Sequence, residues 1–164
     1  MTAKRIEAVL RPASVAVVGA SDTPGSIGEV LCRNLREGGF RGPVFYVNPR
    51  HASIRDRPSY PDVRSLPQPV DVAIVATPPP TLPMVLEHCG ERGVRGAIIV
   101  SAGFREGGEA GAAWERSMLQ VARRYGLRLL GPNSFGVIRT DNGFNASCGA
   151  ALPQPGRLAL VSQS

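Results

Sequence analysis

Five short runs of apolar, mostly β-branched residues dominate the hydrophobic pattern of the chain. They are continuous rather than alternating, which is typical of strands buried on both faces of a sheet. Their starts lie roughly 25 to 31 residues apart, the length of a βαβ unit. The runs are SVAVVGA (14–20), VFYVN (44–48), DVAIVA (71–76), GAIIVSA (96–102) and LRLLG (127–131).

Apolar residues at helical spacing fill three of the segments between these runs. Each stripe ends at a glycine and is predicted to be the core face of a helix. The segment 49–70 is rich in proline and shows no such stripe, and the pattern after Gly131 is irregular until RLALV (157–161), a predicted sixth strand. The stripes are Ile27, Val30, Leu31 and Leu35; Leu82, Val85, Leu86 and Cys89; and Trp114, Met118, Val121, Ala122 and Tyr125.

This alternation predicts an α/β fold: a Rossmann-like, doubly wound parallel sheet in a single domain, with right-handed crossovers. In such sheets ligands bind beyond the carboxyl ends of the strands. The residues that follow each strand are therefore the candidates for a site.

Composition limits the kind of ligand. The chain has 164 residues, 43% hydrophobic and 20% charged, with a net charge of +6, ordinary values for one globular domain. Since no long Lys/Arg run exists, small anions fit better than nucleic acid. The three cysteines are far apart, which argues against a zinc site or disulfides and favours a reducing compartment. No signal peptide or membrane-length apolar run is visible, so we expect a cytoplasmic location.

The turn after the first strand, GASDTPGSIG, carries Gly19, Gly25 and Gly28. These glycines allow a tight turn and close approach of backbone to a ligand, and amide groups at the start of the next helix would face a phosphate. Ser21 and Ser26 could add hydroxyl donors. The alternative is a long connection in which Ser26 only caps the helix.

The turn after the second strand, VNPRHASIRDRP (47–58), has no acidic residue where the strand ends, and its one carboxylate, Asp56, comes eight residues after Asn48. An NAD-binding unit would place one there to bind the ribose hydroxyl. Asn48 and Arg50 stand in that position instead, and a guanidinium favours a ribose phosphate. The ligand is then NADP or coenzyme A, unless the arginines form a solvated surface loop. Arg55 and Arg57 are weaker candidates than Arg50.

Three further turns contribute small or rigid residues. Pro78 begins a proline-stiffened loop that could form an apolar shelf for an adenine or a pantetheine arm, or merely start a helix. Ser101, Ala102 and Gly103 permit close backbone approach. Asn133 follows the fifth strand in GPNSFG, where turn formation is the alternative. No residue suggests a catalytic base, a nucleophile or a metal ligand.

Taken together, SVAVVGASDTPGSIG, YVNPR, PVDVAIVATPPP, GAIIVSAGFREGG, LLGPNSFG and LALVSQS resemble the CoA-binding domain of NDP-forming acyl-CoA synthetases, a family related to the succinyl-CoA synthetase α subunit. The resemblance implies that residues 24–28 (Pro24, Gly25, Ser26, Ile27, Gly28) contact CoA. It implies that Arg50 replaces a family Lys near the nucleotide, that Pro78 and the turn at Ser101 line the ligand, and that Asn133 lies near the thiol.

The resemblance also sets expectations for domains and partners. LALVSQS normally begins a flavodoxin-like domain, which implies a CoA-binding domain over 1–156 and the first strand of a second domain over 157–164. The family's phosphorylated histidine lies beyond Ser164, and Ser134 stands where a Cys is frequent, so these 164 residues alone are not expected to be active. CoA or acyl-CoA, downstream synthetase domains or a second copy are the expected partners, with no nucleic acid or membrane.

Three alternatives remain open from the sequence. The domain could sense a ligand within a regulated protein acetyltransferase, to which similar modules are fused. It could be the NADP-binding half of a dehydrogenase, although no substrate domain or catalytic residue follows. It could also be a structural remnant without a ligand.

Overall fold

A computed structural model describes residues 3–150 and 153–162. The helices are α1 (Ala3–Leu10), α2 (Ile27–Glu37), α3 (Leu82–Glu91) and α4 (Gly108–Tyr125). The strands are β1 (Val15–Val18), β2 (Val44–Val47), β3 (Ser53–Ile54), β4 (Arg57–Tyr60), β5 (Val72–Val75), β6 (Gly96–Ile99), β7 (Arg128–Leu130), β8 (Gly136–Arg139) and β9 (Phe144–Ser147). Short 3₁₀ turns cover Val63–Ser65, Pro79–Thr81 and Arg105–Gly107.

The main sheet has seven strands in the order β3-β4-β2-β1-β5-β6-β7, and only β3 is antiparallel to its neighbour. The chain proceeds from β1 to β2 on one side and returns to β5 on the other. The sheet therefore has a topological switch point between β1 and β5. The predicted doubly wound α/β fold and its five core strands are confirmed.

Each central strand supplies alternate side chains to two cores. In β1, Val15 and Val17 pack with Leu31 and Leu35 of α2, while the residues between them face α3 and α4. All four residues of β1, β5 and β6 are buried, which explains their continuous apolar character. Helices thus cover both faces.

Two positions in the predicted core stripes are exposed. Ile27 is 48% exposed and Trp114 is 38% exposed. Ile27 begins α2, beside the turn after β1, and so lies above the sheet's edge rather than over its face. Trp114 lies one turn before the buried Met118 and two turns before the buried Ala122 of α4, and its own side chain is only partly covered.

Some elements were not predicted from sequence. The segment without a helical stripe contains the β3–β4 hairpin, which extends the sheet past β2. The irregular region after Gly131 forms the separate β8–β9 hairpin, and its Phe144 and Ala146 pack against the α2 side of the core. The strand predicted over 157–161 is wrong for this structure, because described residues 153–162 form no strand and lie exposed.

No described helix has the length and apolar character needed to cross a bilayer. The cysteines are free thiols, two of them buried and Cys148 partly buried.

Candidate functional site

The predicted site residues all follow the carboxyl ends of five adjacent strands, in the spatial order β2, β1, β5, β6 and β7. Since neighbouring strands lie about 4.8 Å apart, this row spans about 19 Å. Backbone hydrogen bonds link neighbouring strand ends and turns in this row. Val100 donates its amide to Val75 O at 3.1 Å, and Asn133 donates its amide to Ser101 O at 2.9 Å. The turns therefore form one continuous edge.

The turn after β1 crosses the switch point with very little room. Gly19 has a φ of +89°, and a Cβ there would lie 2.8 Å from the carbonyl oxygen of Ala76. A Cβ on Gly28 would overlap the carbonyl oxygen of Gly19. In contrast, Gly25, with a φ of +78°, has open space around it. Two of the three glycines thus serve close packing, and Gly25 leaves the outer surface of the turn unobstructed.

The two serines of this turn are engaged with the backbone. Ser26 is the N-cap of α2, and its Oγ accepts a hydrogen bond from the Glu29 amide at 3.2 Å. Ser21 Oγ accepts from the Thr23 amide at 3.0 Å. Each hydroxyl keeps its own proton for donation. The capping role considered for Ser26 is confirmed, and donation to a ligand remains a prediction.

The amide groups of Ile27 and Gly28 have no acceptor within the described residues. They are the first two residues of α2, where the helix leaves amides unsatisfied and carries a partial positive charge. This terminus lies beside the exposed Gly25. The arrangement suits an anion such as a phosphate group.

Asn48 joins the turn after β2 to the turn after β1. Its Nδ2 donates to Ala20 O at 2.8 Å, and its Oδ1 accepts from the Arg50 amide at 2.9 Å. Both ends of the amide are therefore used to position backbone. Arg50 itself is exposed, and no carboxylate within the described residues pairs with it. Its guanidinium remains free for an anionic ligand.

An ion-pair cluster behind the glycine turn was missed by sequence reasoning. Glu29, with only 4% of its side chain exposed, accepts from Arg55 NH2 at 2.6 Å and pairs with Arg33 at 3.3 Å. Arg55 is thus committed to a buried carboxylate, which weakens its case as a phosphate ligand. The motif S-x-x-E (26–29) was the available signal, but it predicts a capping box and not this partner.

Cys32 lies beneath the same turn. Burial raises the pKa of its thiol to about 11, although hydrogen bonds with the Ser21 backbone and the Tyr46 hydroxyl act to lower that pKa. The thiol is therefore protonated near neutral pH and is not activated as a nucleophile.

The far half of the edge is built from rigid and small residues. Pro78 and Ala102 are exposed, whereas Ser101 is buried and its Oγ donates to Val75 O at 3.4 Å. Gly103, with a φ of +99°, donates its amide to Glu106 Oε1 at 2.7 Å. That bond holds the pKa of the Glu106 carboxyl below its ordinary value. Glu106 thus has a structural partner.

Asn133 ends the row. It has a φ of +53° and is exposed. The backbone is anchored on both sides, since Ser134 donates its amide to Ile99 O at 3.1 Å. The side chain of Asn133 is consequently held at the surface beyond β6 and β7.

A cleft of about 540 Å³ lies at the opposite, amino edge of the sheet. It is lined by residues 38–42 and 141–143 together with Pro12 and Ala13. None of the predicted site residues lines it. The strand ends and free amides described above assign the site to the carboxyl edge, where doubly wound sheets bind ligands.

Comparison with known proteins identifies the family of the chain. Residues 13–140 match the family model described as CoA binding domain. The chain is 43% identical over 159 residues to acetate–CoA ligase [ADP-forming] I of Archaeoglobus fulgidus, covering 97% of this chain and 23% of that protein. It is 44% identical over 163 residues to the α subunit of acetate–CoA ligase [ADP-forming] I of Pyrococcus furiosus, covering 97% of this chain and 35% of that subunit.

The fold also matches a solved structure. An acetyl-coenzyme A synthetase of Ca. Korarchaeum cryptofilum, in complex with phosphate and ADP, superimposes with a TM-score of 0.82 at 37% identity, over 88% of this chain and 31% of that one. The chain thus spans between about a quarter and a third of the length of these curated relatives.

Proposed function

The chain belongs to the family of CoA-binding domains, and on that premise we propose that it binds CoA or acyl-CoA as a domain of an ADP-forming acyl-CoA synthetase. The observation that carries the proposal is the carboxyl edge itself. Within the part of the chain that the structure describes, it combines free amides at the start of α2 with an unpaired guanidinium at the end of β2. CoA carries a pyrophosphate and a ribose phosphate that need these two kinds of donor.

The turn after β1 is the proposed pyrophosphate site. The amides of Ile27 and Gly28 point out of the helix start, and Gly25 leaves space for the phosphates to approach. Pro24 and Ser26 flank this position. The helix dipole adds attraction for negative charge.

Arg50 is the proposed partner of the 3′-phosphate. It follows β2, where an NAD-binding protein needs a carboxylate, and Asn48 holds its backbone. A guanidinium pairs with a phosphate through parallel N–H groups. This position supports CoA or NADP over NAD.

The pantetheine arm would follow the edge across β5, β6 and β7. Pro78 and Ala102 offer exposed, nonpolar surface along that path, and Gly103 allows close approach. Asn133 would then lie near the thiol. In the parent reaction the CoA sulfur attacks the carbonyl carbon of an acyl phosphate, the C–S bond forms, the C–O bond to phosphate breaks and phosphate leaves. CoA is then a substrate rather than a cofactor.

The domain's part in that reaction is to bind and orient. We assign no catalytic base to its described residues, and the acyl phosphate would form in other domains. Downstream synthetase domains or a second copy are the proposed partners, and the proposed location is the cytoplasm. The ligase relatives favour this function over a regulated acetyltransferase or an NADP-dependent dehydrogenase.

Isothermal calorimetry with CoA, NADP and NAD tests the proposal. We expect one CoA to bind per chain, with NADP weaker and NAD weakest. Acetyl-CoA should bind at the same stoichiometry and compete with CoA. Binding of NADP without binding of CoA would contradict the proposal and support the dehydrogenase alternative.

A further inference from the structure

We propose that Arg55 is a positioning residue that neutralises Glu29 and so keeps the start of α2 attractive to the pyrophosphate of CoA. This inference rests on the proposed function. It concerns a residue that need not touch the ligand.

Glu29 is an unusual neighbour for an anion site. It is the third residue of α2, in the same first turn as the amides of Ile27 and Gly28. Because its side chain is only 4% exposed, water screens its charge poorly. An uncompensated carboxylate there would cancel the partial positive charge of the helix start and repel the pyrophosphate.

The structure provides a dedicated countercharge. The Ser26 amide donates to Thr23 O, so Glu29 does not complete the capping box that its sequence position suggests. Its carboxylate instead accepts from Arg55 at 2.6 Å, with Arg33 more distant at 3.3 Å. Arg33 belongs to the same helix, whereas Arg55 comes from the β3–β4 hairpin.

The backbone of Arg55 indicates a specific role for its side chain. Arg55 and Asp56 form the two-residue turn of the hairpin, with φ values of +47° and +62°. Such turns favour Asn and Gly, because side chains disfavour positive φ. An arginine in this position places a guanidinium over Glu29 that the usual turn residues could not supply.

The test is a charge cycle on Glu29 and Arg55, read by calorimetry with CoA and with dephospho-CoA. Arg55→Met should weaken both ligands about tenfold, since both contain the pyrophosphate. Arg55→Lys, which keeps the charge, should stay close to wild type. Glu29→Gln should bind CoA at least as tightly as wild type, and Glu29→Gln with Arg55→Met should restore affinity to within about twofold. Arg95→Met, which breaks the surface pair with Asp71, is the control and should change nothing.

Salt gives a readout that a purely structural role would not move. The loss in Arg55→Met should shrink by a small factor between about 50 mM and about 500 mM salt, because ions reach the solvent-facing pyrophosphate although they do not reach the buried carboxylate. If Arg55→Met fails to fold, the comparison of Glu29→Gln with the double variant decides. A tenfold loss in that background would mean that Arg55 contacts CoA directly and would overturn the inference, as would unchanged affinity in a folded Arg55→Met. Wild-type protein that does not bind CoA would overturn the proposed function itself.

Discussion

Asn48 donates its side-chain amide to the carbonyl oxygen of Ala20 at 2.8 Å and accepts the Arg50 amide at 2.9 Å. One side chain therefore couples the turns after β1 and β2, which are neighbours in the sheet but 28 residues apart in the chain. This coupling sets where Arg50 stands relative to the start of α2.

Replacing Asn48 should loosen both turns. Asn48→Ala removes two hydrogen bonds and should lower the free energy of unfolding by about 1 to 2 kcal/mol. Asn48→Asp keeps the acceptor for Arg50 but loses the donor to Ala20, so it should be destabilised at least as much. Urea unfolding measures both. A stability equal to wild type in both variants would show that the coupling is unimportant.

Arg50 should act on one phosphate only. Arg50→Met should weaken CoA about tenfold, in line with about 1.4 kcal/mol for a partly exposed charged contact. Dephospho-CoA, which lacks the 3′-phosphate, should bind almost unchanged. Calorimetry with both ligands makes the comparison.

Arg41→Met is the matched control, because Arg41 is exposed and lines the cleft at the opposite edge. It should bind both ligands as wild type does. Equal weakening of the two ligands by Arg50→Met, or no weakening, would assign Arg50 to the solvated loop.

Two glycines of the same turn should respond differently to alanine. Gly28→Ala drives a Cβ into the carbonyl oxygen of Gly19 and should cost at least about 3 kcal/mol of stability. Gly25→Ala meets open space and should cost only the strain of its positive φ, about 1 to 2 kcal/mol. Gly25→Ala should still fold yet bind CoA more weakly. Thermal unfolding distinguishes them, and similar losses in both variants would contradict the geometry.

The buried thiol of Cys32 should make stability fall at alkaline pH. Burial raises its pKa from 9.0 to about 11, so in this range the unfolded chain loses the proton first and binds fewer protons. The contribution of Cys32 is therefore fully present below pH 9 and declines as pH rises through 11. Cys32→Ala should reduce the slope of unfolding free energy against pH by up to about 1.4 kcal/mol per pH unit. Denaturant unfolding across this range measures the slope, and an identical slope in both proteins would contradict the assignment.

The parts of the fold that were predictable are those set by local pattern. The continuous apolar runs around Val15 and Val72 indicate buried parallel strands, and this conclusion needs no tertiary information. The β3–β4 hairpin was not predictable in this way. Its two-residue turn uses Arg55 and Asp56 rather than the Asn-Gly pair that marks such turns, and its strands are short and exposed on one side.

In the candidate site, too, positions set by local pattern were predictable, and contacts between distant segments were not. The position of Arg50 follows from strand order alone, since it comes directly after β2. The pairing of Arg55 with Glu29 depends on the unpredicted hairpin, so no sequence signal could identify Arg55 as the partner of Glu29. Likewise, the structural use of both ends of Asn48 requires the neighbouring turn to be in place.

The most direct test of the central claim is a crystal structure of this chain with CoA. We predict that the pyrophosphate lies within hydrogen-bonding distance of the Ile27 and Gly28 amides, the 3′-phosphate at Arg50 and the thiol beyond β6 and β7. CoA bound instead in the cleft formed by 38–42 and 141–143, at the amino edge of the sheet, would contradict it.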